Sequence, residues 1–335
     1  MDAMLHKSVV LKEDTAYIDF LKVLLTVGII FRHAAPDFSA GTPLLGAVCK
    51  GIVLFTEICV PLFFAISGYL FFLNAPRKPE VKWFGSKLKK RVFSLLLPYL
   101  IANAVAFLCY WSVIRFKPDW IAGFFGDNWK NPLFVLWTGP INMSLWFIRE
   151  LIIVSILSPL VWLIVRYTKY WGVLALGLLW FFGKGPAPIF FFSLGACLSF
   201  RGHGAADSVR HAGPYFLLTY ACCFVLAMNA DNLLKATILL GLPMTVWAAS
   251  SFLKKFHFRH GPELRAWCFF LYLYHYIPLT GLKKFAYSSL GTSSTAVGLL
   301  KYFAVALGLL SVLTLICHMF RKCMPKLSGI ILGGK

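Results

Sequence analysis

The chain has 335 residues, 59% of them hydrophobic and 14% charged, with 33 Lys and Arg against 13 Asp and Glu for a net charge of +20. Apolar stretches recur along the whole length and the basic residues are divided among the short segments between them, which excludes a soluble enzyme and a nucleic-acid-binding domain. Only helices and closed barrels satisfy their backbone groups inside a bilayer, and continuous rather than alternating apolar runs select helices.

The first 16 residues carry Lys, Glu and Asp without an apolar region, so a cytoplasmic tail is expected there and no cleavable signal peptide. About 20 helical residues cross a hydrocarbon core roughly 30 Å thick. Runs of that kind predict spans near 17–35, 52–73, 92–114, 144–165, 169–183, 188–200, 213–229, 232–252, 265–281 and 298–320. The expectation is an all-α, polytopic transmembrane bundle of about ten spans forming one domain over 1–335. The fifth and sixth runs are short and flank "GKGPAP" (183–188); as a single re-entrant hairpin they would reduce the count to eight. The longest stretch between spans, 115–143, is aromatic and is expected on the outer surface.

Lys and Arg collect on the cytoplasmic side of short loops. With the N-terminus inside, the inside segments hold 21 basic residues and the outside segments 8, which predicts an even helix number with both termini in the cytoplasm, 321–335 being the second tail. The loop 74–91 contains "RKPEVKWFGSKLKKR" (77–91), with seven basic residues and one acid. It serves orientation and contact with anionic lipid, and is also suited to a phosphorylated ligand. The nine cysteines lie almost entirely in apolar spans without paired spacing, so no metal site is expected.

Ionisable residues inside spans are costly and usually face a cavity or a partner. Lys22 and His33 are 11 positions apart, which at 100° per residue puts them on one helix face, roughly 16 Å apart along the axis. Asp19, three residues before Lys22, is placed to pair with it. The pair would suit a passage for a long anionic molecule whose reactive end reaches the imidazole, a side chain that titrates near neutral pH and can act as a base; alternatively, both side chains simply reach for opposite interfaces.

The segment "YIDFLKVLLTVGIIFRHA" (17–34) resembles the first helix of the membrane-bound acyltransferase family 3, which carries a basic residue, ten intervening residues and a histidine, here Lys22 and His33. The family usually has arginine first, so the charge is kept and the bidentate fork is lost. "VPLFFAISGYLF" (60–71) is similar to its second-helix motif, with Ser67, Gly68 and Tyr69; "KKRVFSLLLPYL" (89–100) to its basic entry to the third helix; "SLWFIRELIIVSILSPL" (144–160) to its Trp-aromatic segment; and "LYLYHYIP" (271–278) to its late helix with an embedded histidine. One departure is that the usual pair of arginines three apart reads Arg91 and Ser94, with Lys87, Lys89 and Lys90 nearby.

The resemblance implies transfer of an acyl group, most often acetyl, from acyl-coenzyme A in the cytoplasm to a hydroxyl of a glycan or glycolipid. Acyl-coenzyme A is then a co-substrate rather than a resident cofactor, its phosphates meeting Lys22, Lys87, Lys90 and Arg91, with His33 as general base or nucleophile. Glu57 either orients the imidazole or neutralises Arg32 or Arg149. Arg149 and Glu150, adjacent and about 100° apart, are expected to find partners on other helices. His275 reads as a hydrogen-bonded core histidine, and Trp146 and Tyr69 as wall residues. The expected surroundings are the inner membrane of a bacterium, membrane lipids and no nucleic acid, with a homo-oligomer left open. A transporter of a glycan or lipid-linked intermediate would use the same cavity without chemistry.

Overall fold

The computed structural model describes residues 2–36, 42–114, 137, 141–256, 258, 260–289 and 294–334. Most of the expected outer loop 115–143, Lys130 included, lies outside the described residues. Among the described residues every long element is a helix. They are α1 (Asp2–Ala34), α2 (Pro43–Thr56), α3 (Cys59–Phe72), α4 (Val81–Arg91), α5 (Leu97–Ile114), α6 (Trp146–Ile156), α7 (Ser158–Thr168), α8 (Tyr170–Phe181) and α9 (Ala187–Arg201). After these come α10 (His203–Ala227), α11 (Leu234–Lys255), α12 (Pro262–Tyr274), α13 (Tyr276–Ser289), α14 (Thr295–Cys323) and the short α15 (Pro325–Ile331).

Proline and hydroxyl residues set many of the boundaries. The α1 helix stops just before Pro36, whose ring denies the preceding residues a helical geometry. Thr42 caps α2 by accepting from the Leu45 N–H, with Pro43 in the first turn, and Ser294 caps α14 through the Val297 N–H. The predicted span 144–165 is two helices bent by 62°, α7 opening with Pro159 in its first turn. The predicted span 265–281 likewise breaks at His275. Pro278 offers no N–H to the carbonyl of Tyr274, so the helix ends there and α13 starts with the proline in its first turn.

Four helical stretches are long and apolar enough to cross a membrane: Pro43–Phe72, Val81–Ser112, Asp231–Leu253 and Thr295–Cys323, and α6 with α7 makes a fifth if the bent pair is one span. Shorter apolar helices occupy Tyr170–Phe181, Ala187–Arg201 and His211–Ala227. The 33-residue α1 falls outside that set because Asp19, Lys22 and Arg32 interrupt its apolar run.

Within the bundle α1 is central, packed against α2, α3, α11, α12, α13 and α14 through buried Leu21, Leu25, Ile29 and Ile30. It runs parallel to α12, since Asp19 meets Arg265 and His33 meets His275. It runs antiparallel to α14, where the Tyr302 hydroxyl donates to the carbonyl of Phe31 and Thr314 receives the indole N–H of Trp267. The α3 and α9 helices touch backbone to backbone: a Cβ on Gly195 would lie 1.8 Å from the Ala65 carbonyl oxygen, and one on Gly68 2.0 Å from that of Phe192.

Two segments expected as tails or loops are ordered parts of the bundle. The loop 74–91 becomes helical from Val81 and continues through a π-helical turn, Val92–Leu96, into α5. At the other end α15 folds back on α5, burying Ser328 and Leu332, and Gly333, at φ +66°, sits so close to Ser94 that a Cβ there would be 2.7 Å from its Cα.

Candidate active site

The middle of α1 carries a cation cluster built on a single buried carboxylate. Asp19 is 1% exposed and receives Lys22 at 3.4 Å on its Oδ1 and Arg265, from α12, at 3.5 Å on its Oδ2. The Lys22 contact follows from the i, i+3 spacing on one helix face; the Arg265 contact follows from the parallel packing of α1 and α12. A charge this deep is tolerable only when compensated, and two cations compensate it.

Lys22 and Arg265 open onto a cavity of about 240 Å³ between α1, α3, α6 and α12. Arg91 lines it as well, with its guanidinium 5.5 Å from the Phe71 ring. Three cations thus converge on walls that are otherwise mostly apolar, including Phe63, Phe147 and Tyr272. The arrangement suits a ligand with an anionic head and a slender uncharged arm. Of the residues expected to hold the donor, Lys22 and Arg91 meet at this cavity. Lys87 instead packs over the rings of Phe71 and Trp83, and Lys90 is exposed away from the cavity. Ser67 lines the cavity, whereas Tyr69 lines an apolar crevice on the other side of α3. Gly68, between them, admits the α9 backbone.

His33 lies two helical turns beyond Thr26, the last α1 residue of the cavity wall. Its ring centroid is 5.4 Å from that of His275 and 5.7 Å from that of Tyr276, and its carbonyl accepts from Lys283 Nζ at 3.0 Å. His275 follows Tyr272, the last α12 residue of the cavity wall, by three positions. The break that carries His275 is held from the side: Asn142 Nδ2 donates to the Leu273 carbonyl at 2.8 Å, Ser144 donates to Asn142 Oδ1, and the Tyr272 hydroxyl donates to the Ser144 carbonyl.

Glu57, at the join between α2 and α3, pairs with Arg32 at 2.6 Å, and Arg32 also donates to the Val53 carbonyl at 3.3 Å. Of the two roles raised for Glu57, neutralising Arg32 is the one with a contact. The expectation for Arg149 and Glu150 is corrected: the guanidinium folds back so that Nε and Nη2 reach Glu150 Oε1 at 3.2 and 2.9 Å, and Nη1 donates to the Trp137 carbonyl. The 100° between neighbouring Cα–Cβ directions is overcome by the length of the arginine stem.

Sequence reasoning passed over two residues and one contact of this region. Arg265 is one of four basic residues in a segment expected to lie inside and carries no local sign of its partner, which is 246 positions away. Asn142 precedes the Trp-aromatic segment without joining it. The contact between His275 and His33 had a visible sign only in that both imidazoles lie in apolar runs.

No solved structure matches the chain. The succinoglycan biosynthesis protein ExoH of Rhizobium meliloti (strain 1021) is 28% identical to it over 359 residues, covering 96% of this chain and 92% of that protein. A family model for an acyltransferase domain matches residues 15–320, which run from α1, ahead of Asp19, into the last turn of α14 and include the cation cluster, His33 and His275. The chain is therefore a multi-pass membrane protein of the acyltransferase family 3.

Proposed function

We propose that this protein moves an acyl group, acetyl in our assignment, from acyl-coenzyme A on the cytoplasmic side to a hydroxyl of a glycan or glycolipid. The observation that carries this reading is the convergence of Lys22, Arg91 and Arg265 on one apolar-walled cavity whose α1 and α12 walls continue to His33. The cations would bind phosphates and the apolar walls the uncharged arm that brings the thioester toward the imidazole. Similarity to a protein named for succinoglycan biosynthesis supports a glycan acceptor.

In this scheme His33 takes the proton of the attacking hydroxyl while the acceptor oxygen bonds to the acyl carbon. The carbon–sulfur bond then breaks, and the departing thiolate recovers the proton from the imidazolium. The same nitrogen would serve if His33 first carried the acyl group itself. We further propose ten crossings with both termini and residues 77–91 in the cytoplasm: the 21-to-8 division of basic residues supports the orientation, and α14 running antiparallel to α1 supports an even number.

The test is His33→Gln, which keeps size and hydrogen bonding but removes basicity. Coenzyme A release from acetyl-coenzyme A, supplied with lipid-linked glycans extracted from the host membrane, should fall by about 10²–10⁴-fold. Coenzyme A affinity should stay within about threefold, because a proton-transfer group acts on the transition state and not on ground-state binding. Near-full turnover in His33→Gln would refute acyl transfer through this histidine and favour transport through the same cavity.

A further inference from the structure

We infer that His275 is a positioning residue for His33, its Nε2 accepting a hydrogen bond from one nitrogen of the His33 ring and leaving the other free to act. The inference rests on the role proposed for His33 and adds the group that orients it. His275 is 0% exposed. Its Nδ1 lies 3.1 Å from the Leu271 carbonyl and 3.0 Å from that of Tyr272. Both partners are acceptors only, so the ring carries its proton on Nδ1 and presents a lone pair at Nε2.

That Nε2 is buried without a hydrogen-bond partner. A buried acceptor left so costs about 1–3 kcal/mol, which makes it a poor choice for mere packing. The donors around it are committed elsewhere. The Tyr272 hydroxyl is on the Ser144 carbonyl, the Tyr276 hydroxyl is on Met143 Sδ at 3.5 Å, the Asn142 amide is on the Leu273 carbonyl and Lys283 is on the His33 carbonyl. The His33 ring remains, at 5.4 Å between centroids and tilted by 36°. That separation puts the two rings in contact, so a small side-chain rotation brings a His33 ring nitrogen to roughly 3 Å from His275 Nε2. Glu57, the other group raised as an orienting partner, is held by Arg32.

The chemistry balances without any further group. His33 donates one N–H to His275 Nε2, and its other nitrogen is then unprotonated and available. When the acceptor hydroxyl loses its proton to that nitrogen, the imidazolium keeps its bond to His275, so the charge develops beside a preformed acceptor. The proton goes on to the thiolate and none is passed to His275. A base held in the wrong tautomer can lose as much as about 10⁴ in rate.

The experiment uses the full chain in lipid nanodiscs, with acetyl-coenzyme A and host lipid-linked glycans as substrates and with ¹⁵N-labelled histidine. The His33 ring signals are identified by their loss in His33→Gln. His275→Leu should lower kcat by at least 10²-fold with KM for acetyl-coenzyme A changed less than threefold, and should turn the single His33 tautomer into a mixture. His275→Gln, which returns an acceptor oxygen near the position of Nε2, should keep at least a tenth of wild-type turnover. Wild-type kcat together with unchanged His33 nitrogen signals in His275→Leu would overturn the inference while leaving the base reading intact, provided His33→Gln is inactive. An active His33→Gln would overturn both. If His275→Leu does not fold, His275→Gln decides alone, and turnover below a tenth of wild type overturns the inference.

Discussion

Removing Lys22 and Arg265 separately and together tests whether the cluster is organised around Asp19. Each cation is partly exposed and each leaves the other on the carboxylate, at 3.4 or 3.5 Å, so Lys22→Ala or Arg265→Ala alone should cost about 1 kcal/mol or less. The double variant strands a carboxylate that is 1% exposed, and breaking a buried pair in that way costs about 3–5 kcal/mol. The excess over the sum of the singles should therefore be at least about 1 kcal/mol. It should disappear when Asp19→Asn is added, because an amide needs no counter-charge. Unfolding followed in mixed SDS micelles gives the four free energies, and coenzyme A titration gives a second readout. Each single variant should bind about tenfold more weakly, the equivalent of one charge-assisted hydrogen bond at about 1.4 kcal/mol per decade. Additivity within about 0.5 kcal/mol, or no recovery with Asp19→Asn, would refute the shared-carboxylate reasoning.

Three further outcomes follow from the geometry. Gly195→Ala should destabilise by at least about 1–3 kcal/mol, because its Cβ would fall 1.8 Å from the Ala65 carbonyl oxygen, whereas Gly308→Ala, with nothing within 4 Å, should be neutral or stabilising; equal melting temperatures for the two would contradict the close approach. Arg91→Ala should weaken coenzyme A binding about tenfold while Lys90→Ala leaves it unchanged, since only Arg91 lines the cavity, and a titration with equal losses would return the role to the whole basic segment. A cysteine replacing Lys82 should resist an impermeant maleimide in intact cells and one replacing Lys184 should react; the reverse pattern would invert the proposed orientation.

Much of α1 was legible in the sequence because its features are local. Its apolar residues dominate from Tyr17 onward, and the i, i+3 and i, i+11 spacings alone put Asp19, Lys22 and His33 in register. The all-helical architecture followed from the same continuity. The breaks at Leu157 and His275 were harder to see: apolar residues continue across both, and the signs were Pro159 and Pro278, which act on neighbouring backbone geometry rather than on composition. The helical form of α4 and α15 was hidden for a different reason, since both are short and rich in small or charged residues that also suit loops. The second partner of Asp19 and the partner of His33 were least legible, whereas the Glu57–Arg32 and Asp19–Lys22 pairs were among the readings raised. Arg265 and His275 reach them only through the packing of separate helices, and a positively charged residue near a span end reads first as an orientation signal.

The mutual approach of Gly68 and Gly195 bears on how so short a helix as α9 can belong to the membrane-embedded body. Fifteen residues rise about 22 Å, less than a hydrocarbon core of roughly 30 Å demands of a solitary span. That demand applies to backbone facing lipid, and α9 faces protein along the side where its backbone meets α3. Its depth is consequently fixed by a neighbour that is part of the 30-residue stretch Pro43–Phe72, not by matching the thickness of the bilayer. A bilayer made thicker or thinner would then be felt first by the long helices at the rim, α14 among them, while the α3–α9 wall beside the cavity keeps its register.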